Sequence, residues 1–298
     1  MKSTAKSLLK ITRVAARRWY HKDPFMQSAV IAYYSIFSMP GLLVMVIAIA
    51  TIFFKRDAIT GHVYNQVSAI MGPATAQQVQ DMIITAGNTD KSILATIIGL
   101  LTILIGATGV FVELQKALNI IWEVKAKPRK AIFTLLRTRL FSFGLILSVG
   151  FLLLISLAVT TILAAISTWA LSHWPPILLI IFHAVDFTIS FAVIMFLFAL
   201  IFKILPDAKI KWNHVWVGSI VTALLFLLGK TAIGFYLSQT NPASQYGAAG
   251  SVVLILLWVS YSSMILFYGA EFTRAYADHY SGKIHPTAVA VKAHGREK

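Results

Sequence analysis

Six apolar runs along the chain are each long enough to cross a bilayer as a helix, and polar segments separate them. They cover residues 28–54, 92–112, 140–168, 177–201, 215–237 and 247–270, where roughly 20 residues suffice for one crossing. Pro40-Gly41 falls near the middle of the first run. Proline removes a backbone donor and crowds the preceding turn, so a kink is expected there, with Pro40 and Gly41 as candidate hinge residues. The second run contains Gly106-Ala107-Thr108-Gly109, small residues that let another backbone approach closely. The third is long enough to imply tilt. Ahead of the first run, Leu8, Ile11, Ala15 and Trp19 recur at helical spacing among Lys2, Lys6, Lys10, Arg13, Arg17, Arg18 and Lys22. Residues 1–27 therefore read as a basic amphipathic helix lying on an anionic leaflet. The apolar run that follows is longer than the core of a cleaved signal peptide. Residues 55–91 form the longest hydrophilic loop, with two short amphipathic helices expected around Gly72-Pro73.

Composition agrees with this pattern. The 298 residues are 58% hydrophobic and only 12% charged, about half the charged share of a soluble domain. The net charge of +15 suits either a nucleic-acid binder or a multispan protein with basic inward loops, and the placement of the charges decides between them. Lys and Arg crowd the N-terminal segment, the second loop (Lys116, Lys125, Lys127, Arg129, Lys130, Arg137, Arg139), the fourth loop (Lys203, Lys209, Lys211) and the C-terminal tail; the third and fifth loops have none. The expectation is an all-α polytopic membrane protein with six transmembrane helices and cytoplasmic N- and C-termini. It divides into a basic amphipathic segment 1–27, a membrane domain 28–272 with loop 55–91 periplasmic, and a cytoplasmic tail 273–298. No nucleic acid is needed to explain the charge; the expected partners are membrane lipids, with anionic headgroups at the basic cytoplasmic loops, and homo-oligomerisation stays open. The chain has no cysteine, which excludes disulfides and thiolate chemistry.

Two ionisable residues stand inside apolar runs, Asp186 in the fourth and Lys230 in the fifth. In an antiparallel hairpin they lie at similar depth, roughly 10 to 14 Å from the outer ends at 1.5 Å per residue. An unpaired charge at mid-span costs about 2.5 to 3.5 kcal/mol, which pairing or a watery cavity relieves. Asp186 and Lys230 are thus candidates for a substrate or ion site, against a static ion pair or a Lys230 that snorkels to the interface. Near the inner face, Glu113 and Lys116 end the second run while Glu271 and Arg274 follow the sixth, so these four are candidate inner-gate residues as well as ordinary interfacial charges. Gly229-Lys230-Thr231 imitates the end of a phosphate-binding loop, but position 224 is Leu and no strand precedes it, so no nucleotide site is expected. The eight histidines show no metal-ligand spacing, and there is no nucleophile elbow or paired-acid constellation. No metal, cofactor or catalytic residue is expected, and the chain is not expected to be an enzyme.

Several segments resemble one known family. They are Ala32-Tyr33-Tyr34-Ser35-Ile36-Phe37-Ser38, Gln115-Lys116-Ala117-Leu118-Asn119-Ile120-Ile121-Trp122, Leu205-Pro206-Asp207 with the stretch from Trp212 to Lys230, Tyr246-Gly247-Ala248-Ala249-Gly250, and Gly269-Ala270-Glu271-Phe272. In this order they resemble the YihY/BrkB family of bacterial inner-membrane proteins, from about Asp23 to Tyr276. The resemblance implies a multi-pass protein of the inner membrane, and for function a transporter or flippase of an amphiphilic envelope substrate such as an anionic lipid, not driven by ATP. The alternative is a non-transporting scaffold of the envelope. Members have also been called ribonuclease BN, an activity for which this sequence offers no constellation.

Overall fold

The structure, a computed structural model, describes residues 2–50, 109–127, 177–240, 250–281, 284–287 and 289–293, with isolated positions between 61 and 81. The third expected span, most of the second and most of loop 55–91 lie outside the described residues. The described chain is mainly helical: α1 (Lys2–His21), α2 (Pro24–Ala50), α3 (described over 109–121), α4 (Ile177–Ile204), α5 (Trp212–Thr240) and α6 (Gly250–Ser281). Four short strands accompany them, β1 (Val124–Ala126), β2 (Ala208–Lys209), β3 (His285–Pro286) and β4 (Ala290–Lys292). By length and composition α4, α5 and α6 can each cross a membrane. Helix α2 runs through Pro40-Gly41 without a break in its helical backbone, and its side chains from residue 38 onward lie outside the described ones.

α6 is the central element, packing against α1, α2 and α5, while α5 also packs against α4. Lipid tails are as apolar as leucine, so close van der Waals approach must hold such helices together. α5 and α6 achieve it reciprocally. Thr222 and Thr273 donate their hydroxyls to the carbonyls of Gly218 and Gly269 four residues earlier, both at 2.7 Å. Each threonine then faces the glycine of the other helix. A Cβ on Gly218 would lie 2.7 Å from Thr273 Cβ, and one on Gly269 would lie 2.8 Å from Thr222 Cβ. Around this contact Phe198, Phe202, Val215, Ala223, Phe267 and Ala270 form a core that continues into Leu118 and Ile121 of α3.

At one end of the bundle, segments far apart in sequence are tied together. β1 pairs antiparallel with β4, Lys125 opposite Val291, and β2 pairs antiparallel with β3, Lys209 opposite His285. Asp207 is the junction. Its backbone N–H donates to Asn119 Oδ1 at 2.8 Å, its carboxylate accepts from Asn119 Nδ2 at 3.0 Å and Gln115 Nε2 at 3.4 Å, and its carbonyl accepts from Thr287 N at 2.9 Å. The α4–α5 connector is therefore bonded both to α3 and to the chain beyond α6. Residues 273–281 continue α6, and 284–287 with 289–293 form a clasp over the two connectors, with Val289 and Ala290 buried.

Gly269→Ala should destabilise the protein by about 1–3 kcal/mol through overpacking, despite alanine's better helix propensity. Gly234→Ala, on the same bundle with nothing within 4 Å of its new Cβ, should be neutral or stabilising by up to about 1 kcal/mol. Thermal unfolding in detergent compares the two, and equal melting temperatures would refute the close-packing account. Asn119→Ala leaves the buried Asp207 carboxylate short of its main donor, at a cost of about 1–3 kcal/mol. Amide hydrogen exchange across residues 284–293 should rise in that variant.

Candidate functional site

The charged end of the bundle holds the densest cluster of ionic groups among the described residues, organised by how α1 meets α6. Ile11 and Ala15, two of the four residues of the α1 stripe, pack against Phe272 and Ala275, and Trp19 donates its indole N–H to Met264 O at 3.1 Å. Ile11, Ala15 and Trp19 of the stripe expected to face a leaflet thus face α6, while Leu8 stays exposed. Lys6, Lys10, Arg13 and Arg17 remain exposed on the rest of α1. A tight corner links α1 to α2: Asp23 adopts a left-handed φ of 47°, and Gln27 donates through Nε2 to Lys22 O at 2.6 Å. Aspartate tolerates this conformation better than most residues. The corner turns the Lys22 side chain inward.

Lys22 Nζ donates to Glu271 Oε1 at 2.7 Å and to Ile121 O at 3.1 Å. The Glu271 side chain is 1% exposed, against 20% for that of Lys22. Burial pushes the Lys22 ammonium below the ordinary lysine range, and the neighbouring Glu271 carboxylate pulls it back up. Arg274, one turn along α6, is directed elsewhere. It donates to Ile121 O at 2.6 Å, pairs with Glu123 Oε2 at 2.7 Å and approaches Asp278 Oδ2 at 3.8 Å. Arg18 of α1 completes the set by pairing with Asp278 at 2.8 Å.

Two of these cations therefore meet at the C-terminal end of α3, where helix carbonyls lack internal partners and positive charge is favoured. Just beyond, Glu123 has a left-handed φ of 53° and its carbonyl accepts from Ala293 N at 2.9 Å. Glycine usually fills such a position. Here bonds from α6 and the clasp hold a glutamate in it. A cavity of about 10 Å³, lined by Trp19, Lys22, Pro24, Gln27, Ile121, Phe267 and Glu271, adjoins the ion pair. It is the size of one water molecule. The second carboxylate oxygen, Glu271 Oε2, is buried with no hydrogen-bond partner among the described residues.

The residues singled out from sequence are distributed differently from the gate expectation. Glu271 and Arg274 are both central, but their partners across the helices are Lys22 and Glu123. Glu113 and Lys116 pair with each other at 2.6 Å, three residues apart along α3. Lys230 is exposed on α5, and no bond to it is found among the described residues; Asp186 lies in α4 with its side chain outside them. Lys22 and Glu123 could not be selected from sequence, because nothing in a run of basic residues marks the one that turns inward. Among the described residues no group of three or more His, Asp or Glu could hold a metal ion.

Removing Lys22 alone strands a buried carboxylate, so Lys22→Ala should lower stability by about 3 kcal/mol or more, whereas Lys22→Met combined with Glu271→Gln should recover most of it. Unfolding of the single and double variants in detergent measures the coupling, and simple additivity would contradict a direct buried pair.

The sequence profile of the family described as Virulence factor BrkB matches residues 15–293. Among individual relatives, a UPF0761 membrane protein of Saccharophagus degradans is 28% identical over 84% of this chain and 56% of its own length. One from Pasteurella multocida is 28% identical over 75% of this chain and 66% of its own. One from Vibrio atlanticus is 25% identical over 92% and 85%. The chain thus spans little more than half of the first relative and just under two thirds of the second. No solved structure matches. Of the segments that carry the resemblance in sequence, Gln115 to Trp122, Leu205 to Asp207 and Gly269 to Phe272 meet at the charged end, and with the profile matching nearly the whole chain, the protein belongs to the BrkB family of membrane proteins.

Proposed function

We propose that this is a six-span protein of the bacterial inner membrane, with cytoplasmic termini, that moves an amphiphilic, anionic envelope lipid across the bilayer without using ATP. One observation carries the reading: a carboxylate only 1% exposed sits on α6, a helix apolar and long enough to span. Ionisable groups are costly in such helices and mark ion or substrate pathways by default. The charged end supports the orientation. The N-terminal helix, both basic connectors and the C-terminal clasp meet there, as expected if all four face the cytoplasm. Exposed Lys6, Lys10, Arg13 and Arg17 on α1 are then placed to attract anionic headgroups. Lys230, exposed on α5, is the candidate to meet substrate in the outer half, and Pro40-Gly41 the candidate hinge. A second reading, a non-transporting scaffold, draws on the clasp, whose strands pair with both basic connectors and leave Lys125, Lys209 and Lys292 exposed.

Purification in native lipid followed by mass spectrometry of co-purifying molecules tests transport. An anionic lipid should be enriched with the wild type and lost from Lys230→Met, with membrane insertion unchanged. Absence of any enriched lipid or solute, or full enrichment in the variant, would count for the scaffold. Because the chain has no cysteine, single cysteines placed at residues 16 and 293 report topology directly. An impermeant maleimide should label neither in intact spheroplasts and both after lysis.

A further inference from the structure

Glu271 is the most constrained ionisable group among the described residues, and the reason lies in the count of its bonds. An ionised carboxylate offers about four acceptor positions. Among the described residues Glu271 has one charged donor, Lys22 at 2.7 Å on Oε1, and no partner on Oε2. Its other nearby cations are occupied. Arg274 serves Ile121 O and Glu123, and Arg18 serves Asp278. From α2 the neutral Gln27 lines the same cavity and is bonded to Lys22 O. The groups around Glu271 are therefore Lys22 and Arg18 from the α1 side, Arg274 and Asp278 on α6, and Glu123 after α3. Only the first touches it.

A buried ion pair with half of one partner's oxygens unanswered has a large desolvation cost and a small return in hydrogen bonds. The neutral acid removes that cost at Glu271, and its cavity can admit a water. Lys22 is then free of its counter-ion. Being 20% exposed and placed on the Asp23 corner, it can turn toward solvent, which Glu271 in the middle of a packed helix cannot do. Lys22 also supplies one of the bonds that hold α1 on α6, beside Trp19 to Met264 and Arg18 to Asp278.

We propose that Glu271 is a proton-binding site: its carboxylate takes one proton from water as the Lys22 ammonium leaves, and the exchange loosens α1 from α6 at the charged end. No other bond is made or broken and no redox partner is involved. The inference deepens the transport reading by naming the proton as the coupling ion, but it is a statement about the purified protein and is testable without any transported molecule.

The test uses the full chain in nanodiscs, with spin labels on introduced cysteines at Ala16 of α1 and Asn213 of α5, both exposed. Electron–electron distances and the infrared carboxylic-acid band are followed together from about pH 8 to about pH 5. In the wild type the distance distribution should shift as the acid band grows. Glu271→Gln should lose that band and hold the low-pH distance throughout. Lys22→Gln, which removes the charge opposing protonation, should move the band's midpoint upward by about one to three pH units. A wild-type distance that ignores pH, or a pH response that survives Glu271→Gln, overturns the proposal. Should Glu271→Gln not fold, an unchanged midpoint in Lys22→Gln overturns it equally. Failure to find a transported lipid would leave these spectra untouched, so the two readings fall separately.

Discussion

A carboxylate withdrawn from water near the end of an apolar helix must be answered by a cation, and the arrangement of the charged end follows from that demand at Glu271. The cation could not come from α6 itself, because Arg274 one turn away reaches the end of α3 instead. It comes from the corner between α1 and α2, which fixes where α1 lies, and α1 then buries Ile11 and Ala15 against the same helix. The ion pair determines position and the apolar contact adds area. Neither alone accounts for a basic helix docked on a basic end of the molecule, since α1 and its surroundings repel one another wherever Arg18 and Lys22 are not matched by Asp278 and Glu271.

The second constraint is steric and acts deeper in the bundle. Because lipid offers helices no hydrophobic drive to associate, α5 and α6 need close approach, and the glycine–threonine exchange provides it while consuming each hydroxyl within its own helix. That contact lies beside Glu271: Gly269 precedes it by two residues and Thr273 follows it by two. The α6 segment carrying the buried charge is held from one side by backbone-close packing and from the other by the α1 ion pair. The ion pair thus bears on how α1 is held, and the close packing on the α5–α6 seam.

Much of this was legible in the sequence, and what escaped did so for physical reasons. The spans of α4, α5 and α6 followed from hydropathy because lipid selects on side-chain polarity averaged over a helix. The end of α6 did not: the apolar run stops at residue 270, but the helix continues to Ser281, since Glu271, Arg274 and Asp278 find partners on other elements that no local pattern shows. The stripe of α1 was legible, its target was not; an apolar stripe fits a leaflet or another helix equally well. The clasp was invisible, because strands of two or three residues have no periodicity to read. Glu271 and Arg274 could be nominated from their position beside an apolar run, whereas their partners Lys22 and Glu123 depend on two left-handed corners at non-glycine residues.

Lys230 and Glu271 show how differently two charges in apolar helices can be placed. Lys230 is exposed on its helix, where a long aliphatic stem lets the ammonium seek an interface or a ligand arriving from outside. Glu271 has a short stem, is sealed by α1, and meets one cation. A charge of the first kind can recognise something that comes and goes without the fold changing. A charge of the second kind cannot change its state unless its covering element responds. The two helices that carry them meet along the α5–α6 seam, where glycines and threonines interlock closely.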